Sequence, residues 1–505
     1  MIKLIYRIES DYMSKKRMLI VTSVTLSVVT ISLGIVKLYQ TYALSNYIGT
    51  VTDTGIDVYI NDDSYASIPA NGSSNVYYML TNTNPGTVKY GVAYQTTSGV
   101  TVKVYDTSED PATGTIEEND KKYIKLHLEN KNSTNKTIEL STVLGYENGG
   151  DLVVPSGVTL VTDTYTPPPT AAEYITKLYT TASKTTVTNN SITYNTAPSV
   201  SLMNDRLGGT TTDLDGGNIR YYGASPNNYI YFNCSDYSNQ TSSTCETWRI
   251  IGVFNGKLKI IRGSQIGTYS WDNKDTSTGA ESNLGKNDWT TARLMKLLNP
   301  SDYYTTDSND NNLGQGLYYN SASGKCYSGQ NNATVDCNFT STGIKNDITR
   351  NMIAETTYNL GGWNTNKIYS NQIYEYERGT TVYTGRPTTP WTGKIALAYP
   401  SDYGYAADLN QCKDKILKDY DNSTCTSNNW MKAIITNNGS SLGCLLTPHS
   451  SYSHSVWSVY SSGYVNYRSA YNVIRVVPVL SLSSKLGIEP GSGDGSSSNP
   501  YKLSA

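Results

Sequence analysis

Short runs in which apolar and polar residues alternate fill the first third of this chain, and they leave room for little except antiparallel sheet. Between 49 and 164 they include Asp57 to Ile60, Asn75 to Leu80, Val88 to Tyr94, Val100 to Tyr105, Tyr123 to Leu128, Lys136 to Leu140 and Val158 to Val161. Period-two alternation broken by turn residues about every 8–12 positions predicts an all-β, Ig-like sandwich. The stretch holds no Cys, no Trp and no cluster of acids or His, so it is read as a stalk. His127 falls on an alternating strand position and is read as structural.

The segment before the sandwich is of another kind. Lys3, Arg7, Lys15, Lys16 and Arg17 precede an uncharged apolar run from Met18 to Val36. As a helix that run would span about 28 Å, enough for a hydrocarbon core. Residues 1–17 are therefore read as a cytoplasmic tail and 18–36 as a single-pass transmembrane helix, with the rest of the chain outside the cell. A cleaved signal peptide competes, with Thr41-Tyr42-Ala43 as its cleavage site. The apolar run exceeds the usual signal core, which favours the uncleaved anchor. Both readings export the chain.

Pro167, Pro168 and Pro169 end the sandwich. Residues 165–201 are read as a proline-rich linker carrying a helix, from the spacing of Ile175, Leu178 and Tyr179. A second domain, 202–483, follows. Its clearest piece is a hairpin from Trp248 to Arg262 turning at Asn255-Gly256, a pair suited to a type I′ turn. Helices are predicted over 288–298, 343–359, 406–420 and 428–436, and a last strand over 472–482 that Pro478 makes an edge or bulges. Residues 484–505 are read as a flexible Gly/Ser-rich tail.

The seven Cys sort into three close couples, Cys234 with Cys245, Cys326 with Cys337 and Cys412 with Cys425. Local disulfides in an oxidising compartment are the simplest of the pairings the sequence allows. Cys444 is left over and is read as a small buried hydrophobe. With a net charge of -2, nothing marks a nucleic-acid partner. Only three His are present, which weighs against a His-rich metal site or a Ser-His triad. The oxygen-rich loops at Asp307–Asn312 and Asp213–Gly217 could hold a structural Ca²⁺, but they lack EF-hand spacing and are read first as solvated turns. Glu375 and Glu377 beside Arg378 are read as a solvated face. No catalytic residues, cofactor or metal ligands are expected.

Against 3 Phe the chain has 44 Tyr. They crowd the stretch from Thr447 to Leu482, where Tyr mixes with Ser, Asn and His before a hydrophobic run. Tyr offers area at small entropic cost, as contact surfaces require. The candidate ligand-binding residues are Tyr452, His454, Trp457, Tyr460, Tyr464, Asn466, Tyr467, Tyr471 and Asn472.

Ile219-Arg220-Tyr221, Trp248-Arg249-Ile250, Tyr399-Pro400-Ser401-Asp402-Tyr403-Gly404, Leu445 to Pro448 and Val477 to Leu480 resemble segments of exported Firmicutes proteins. The last part also resembles C-type-lectin-like domains of the formylglycine-generating-enzyme type, a fold used by retroelement-diversified surface proteins. Cys444 to Pro448 and Arg475 to Pro478 depart from that family's motifs, in a replaced Trp and a shifted Arg. The resemblance implies an α+β lectin-like domain over 202–483 and a diversified ligand surface in its last part. Taken together, the sequence predicts a membrane-anchored bacterial surface protein that binds an extracellular glycan or protein ligand. The alternatives are a structural surface or filament component and, on the resemblance alone, a formylglycine-generating-type enzyme. That chemistry needs a reactive Cys pair, and only Cys444 is unpaired.

Overall fold

The structure, a computed structural model, describes residues 48–51, 56–59, 65–82, 86–145, 152–206, 217–278, 283–305, 312–489 and 491–504. The expected membrane helix at 18–36 lies outside them. Among the described residues no helix is long and apolar enough to cross a membrane. The chain divides into two compact units, 1–167 and 168–505, with the boundary inside the proline triplet.

The first unit is built from the alternating runs. Val158–Leu160, Val88–Gln95, Lys136–Gly145 and Tyr65–Ile68 lie in that order in one sheet, and Thr113–Ile116 also pairs with Val88–Gln95. Thr164–Tyr165, Val100–Tyr105, Lys121–Asn130 and Gly72–Thr81 make a second sheet. Alternate side chains of both sheets meet in one core that includes Ile68, Tyr78, Val92, Val102, Leu126 and Ile138. Period two places every second residue on that face. His127 stacks on Tyr165 at 3.6 Å, and its Nδ1 is 2.8 Å from Asn75 Oδ1.

The second unit corrects the expected α+β lectin-like domain. Among the described residues strand exceeds helix by 36% to 16%. The seven described helices are short, from 5 to 11 residues. The helix expected over 343–359 is confined to Asp347–Met352, and the one expected over 406–420 gives way to Pro400–Tyr405 with irregular chain after it. Polar Asn and Thr break the apolar spacing that longer helices would need.

A nine-stranded antiparallel sheet runs from Thr185–Asn189 through Glu246–Phe254 and Lys257–Arg262 to Val479–Ser481 and Ile395–Ala396. The 246–262 hairpin turns at Asn255 and Gly256, with φ of 49° and 69°, the positive pair that a type I′ turn demands. A five-stranded sheet orders Gly267–Tyr269, Ile474–Val476, Gly443–Pro448, Ser455–Val459 and Val465–Ser469. Pro478 sits where the chain passes from one sheet to the other, since 474–476 belongs to the second and 479–481 to the first. A proline has no N–H to give a ladder, so the strand breaks there and changes partners.

The helix Ala171–Thr181 opens on a capping box between Thr170 and Glu173 and packs into this unit's core, so it is an element of the fold rather than of a linker. The segment read as a flexible tail folds back too. Gly487–Ile488 pairs with Leu503–Ser504, and Tyr501 is buried. The three Cys couples form disulfides, with Cα–Cα distances of 3.9, 5.9 and 4.8 Å, and Cys444 is free and buried.

Candidate functional site

The Tyr-rich stretch folds as a loop followed by a hairpin at the edge of the five-stranded sheet. Strands Ser455–Val459 and Val465–Ser469 pair so that Trp457 stands opposite Tyr467. The loop before them carries Tyr452 to the same place. Tyr452 and Tyr467 are 47% and 37% exposed, with ring centroids 5.4 Å apart. Behind them lie two buried rings, His449 and Trp457, stacked at 5.4 Å. His449 is 4.7 Å from Tyr452 and 4.6 Å from Tyr467. The result is a four-ring cluster with two faces open to solvent.

The loop is held rigidly. Asn287 donates its side-chain amide to the carbonyls of His449, Tyr452 and Ser455 at 2.9 to 3.0 Å. Arg386 Nε donates to Asn287 Oδ1 at 2.7 Å and Arg386 Nη2 to the Ser453 carbonyl at 2.6 Å. Ser450 N–H donates to the Trp363 carbonyl at 3.1 Å. Gly362 permits that last approach, since a Cβ there would stand 2.2 Å from the Pro448 carbonyl oxygen. Gly361-Gly362 thus acts as a close-contact element beside the loop. Charged and aromatic partners far away in sequence fix each turn of 449–455, so Tyr452 is presented at little ordering cost.

Burial pushes the His449 pKa down to about 4, offset in part by the backbone of Asn364, so the ring is neutral at pH 7. Its Nδ1 accepts the Ser451 N–H at 3.1 Å, which places the proton on Nε2. Trp457 Nε1 makes no hydrogen bond of good geometry, while the His449 ring interacts with the backbone of Asn364.

Not every candidate joins the cluster. His454 reaches it through Tyr452, at 6.5 Å. Trp457 forms its floor rather than its surface. Tyr460 and Tyr464 stack on each other at 4.5 Å beside the turn of the hairpin, with the Arg468 guanidinium 4.7 Å over Tyr460. Asn466 Oδ1 accepts the Tyr467 N–H at 3.0 Å. Tyr471 is tied elsewhere by its backbone, its N–H to Leu284 and its carbonyl to Ser270 Oγ, and Asn472 N–H donates to the Ser469 carbonyl.

A second cluster escaped the sequence reading. Arg220, Asp205, Asp402 and Lys259 form a buried ionic network. Arg220 Nε donates to Asp205, Arg220 Nη1 to Asp402 Oδ1 at 3.0 Å, and Lys259 Nζ to Asp402 Oδ2. Each of these side chains is at most 7% exposed. Glu377, read as part of a solvated face, is wholly buried, while Glu375 on the same helix is exposed. Glu377 accepts the Ser401 N–H at 2.9 Å and the Ser401 hydroxyl at 2.5 Å. Burial raises its pKa from 4.5 to about 7. The helix Ser370–Glu377 puts residues two apart on different faces, which a reading by charge pattern alone does not resolve.

Cys444 lies on the strand Gly443–Pro448, where burial pushes its thiol well above the ordinary range, so it offers no thiolate at neutral pH. Among the described residues no three His, Cys, Asp or Glu come together as metal ligands. No family model, curated protein or solved structure matches the chain, and nothing identifies a lectin-like fold.

Proposed function

We propose that this chain is a ligand-binding protein of the cell exterior, anchored through 18–36, and that it recognises a glycan or protein partner with the Tyr452–Tyr467 face. The carrying observation is the pair of exposed tyrosines beside a pinned loop, over the stacked buried rings of His449 and Trp457. Tyrosine faces stack on the C–H faces of sugars or on apolar side chains, and their phenol hydroxyls suit the polar groups of either. Three disulfides fit an oxidising exterior.

A glycan and surface-protein array probed with the full chain tests this reading. Tyr452→Ala and Tyr467→Ala are each expected to weaken binding of any hit by ten-fold or more, while Tyr471→Ala leaves it unchanged. Undiminished binding after both substitutions would move the site elsewhere. A self-assembling surface component is the second reading, because Val465–Ser469 is the edge strand of its sheet. A purified chain that stays monomeric at high concentration removes it.

A further inference from the structure

We propose that Lys259 and Asp402 condense into an intramolecular isopeptide bond, and that the buried ionic network of the 168–505 unit is the site that forms it. The inference is independent of the ligand surface. Lys259 lies on the strand Lys257–Arg262, and Asp402 on the first turn of the helix Pro400–Tyr405. Lys259 Nζ lies directly against Asp402 Oδ2. Both side chains are buried, at 7% and 1% exposed. Aromatic rings wall the pair, with Nζ 4.8 Å from the centroids of both Phe254 and Tyr399.

The network supplies what amide formation needs. A nucleophilic amine must be neutral, and burial, with Arg220 and Arg378 nearby, lowers the Lys259 pKa despite its carboxylate neighbour. Against its burial, Lys259 and Arg220 hold the Asp402 carboxyl below its ordinary range, so the proton passes from Lys259 to Asp402 as the amine attacks, which discharges both groups in a dry site. The Nζ lone pair attacks Asp402 Cγ. Arg220 Nη1, 3.0 Å from Oδ1, takes the charge that develops on that oxygen, which stays as the amide carbonyl. The Nζ–Cγ bond forms and the Cγ–Oδ2 bond breaks. Oδ2 departs as water with two of the three protons the ammonium carried, and nothing is oxidised or reduced.

The charge balance favours the product. Before reaction Arg220 and Lys259 face Asp205 and Asp402. Afterwards Arg220 remains paired with Asp205, so no charge is stranded. Glu377 is a positioning residue here, since its carboxyl accepts both the N–H and the hydroxyl of Ser401, the neighbour of Asp402. The bond would join positions 143 residues apart.

Mass spectrometry of the full chain, reduced and denatured, tests the proposal. The expected mass is lighter than the sequence mass by one water, with a tryptic species joining the Lys259 and Asp402 peptides. Lys259→Arg keeps the cation and removes the nucleophile, so it should restore the full mass and eliminate the branched peptide. A wild-type chain at full sequence mass, with trypsin cutting after Lys259 and the two peptides separate, overturns the proposal whether or not the variant folds. A missing water located at any other residue overturns it equally.

Discussion

Three buried groups give the second unit opposing responses to pH. Burial raises Glu377 from 4.5 to about 7, so the folded chain keeps a proton that the unfolded chain releases between those values. Its contribution to stability is complete below about 4.5 and is lost as pH rises through about 7. His449 runs the other way. Its pKa falls from 6.5 to about 4, so its contribution is present above 6.5 and disappears as pH falls toward 4. Asp272, raised from 3.8 to about 6 by burial, acts in the same sense as Glu377. The wild-type curve therefore blends opposing slopes, and a difference measurement is required. Glu377→Gln should gain on the wild type by roughly 3 kcal/mol between about pH 4.5 and 8, because one proton held by the folded chain alone is worth about 1.4 kcal/mol for each pH step of one. Urea midpoints across that range read the difference directly. A gap that does not change with pH means that Glu377 titrates normally. Neither Glu377 nor His449 announced this in the sequence. Arg220 and Asp402 are 182 residues apart, and Glu377 and Ser401 are 24 apart. Contacts between distant elements leave no periodic trace, so charge pattern alone placed Glu377 in solvent.

Among elements, legibility followed the locality of the cause. The Asn255-Gly256 hairpin rests on two adjacent residues and stands in the structure where its signal lies, whereas Pro478, read as an edge or a bulge, marks where the strand breaks and changes sheets. The long helices did not form, because their apolar positions are drawn into separate tertiary contacts. The Tyr-rich hairpin was legible as a displayed surface, but composition alone did not separate Tyr452 and Tyr467, which face solvent, from Trp457, which lies beneath them. The hairpin Ser323–Tyr327 with Thr334–Asn338 is a local element whose stability can be partitioned. Cys326 and Cys337 close a loop with a sequence separation of 11. Loop-closure entropy for a ring of that size is worth up to about 3 kcal/mol. The Cys326→Ala, Cys337→Ala double variant should lose that much in guanidinium unfolding. It should keep the wild-type near-UV circular dichroism at low denaturant. An unchanged midpoint would show that the hairpin is held by its ladder and not by its bridge.

At the scale of the whole molecule, the chain after Pro167 is closed by its own ends. The isolated bridge between Thr170 and Gly487 joins the start of the second unit to its last segment. Gln240 donates its side-chain amide to the Leu503 carbonyl at 2.7 Å and accepts the Leu503 N–H at 2.9 Å. Tyr501 packs edge-on to Tyr174 at 5.6 Å, and its N–H reaches the Tyr229 carbonyl at 2.9 Å. A Gly/Ser-rich composition signals flexibility only when no apolar residue punctuates it. Here Ile488, Tyr501 and Leu503 are three buried anchors at the two ends of the low-complexity run. Their burial outweighs the entropy of the glycines between them, since fully burying one such side chain is worth about 1.5–3 kcal/mol. Deleting 491–505 should therefore destabilise the second unit by several kcal/mol rather than leave it untouched. All 7 Trp lie after Pro167, so tryptophan fluorescence during urea unfolding reports on this unit alone. A truncated chain with the wild-type midpoint would return the segment to the status of a tail. A lowered midpoint, reproduced by Tyr501→Ala and Leu503→Ala in the full chain, would establish it as the closing piece of the fold.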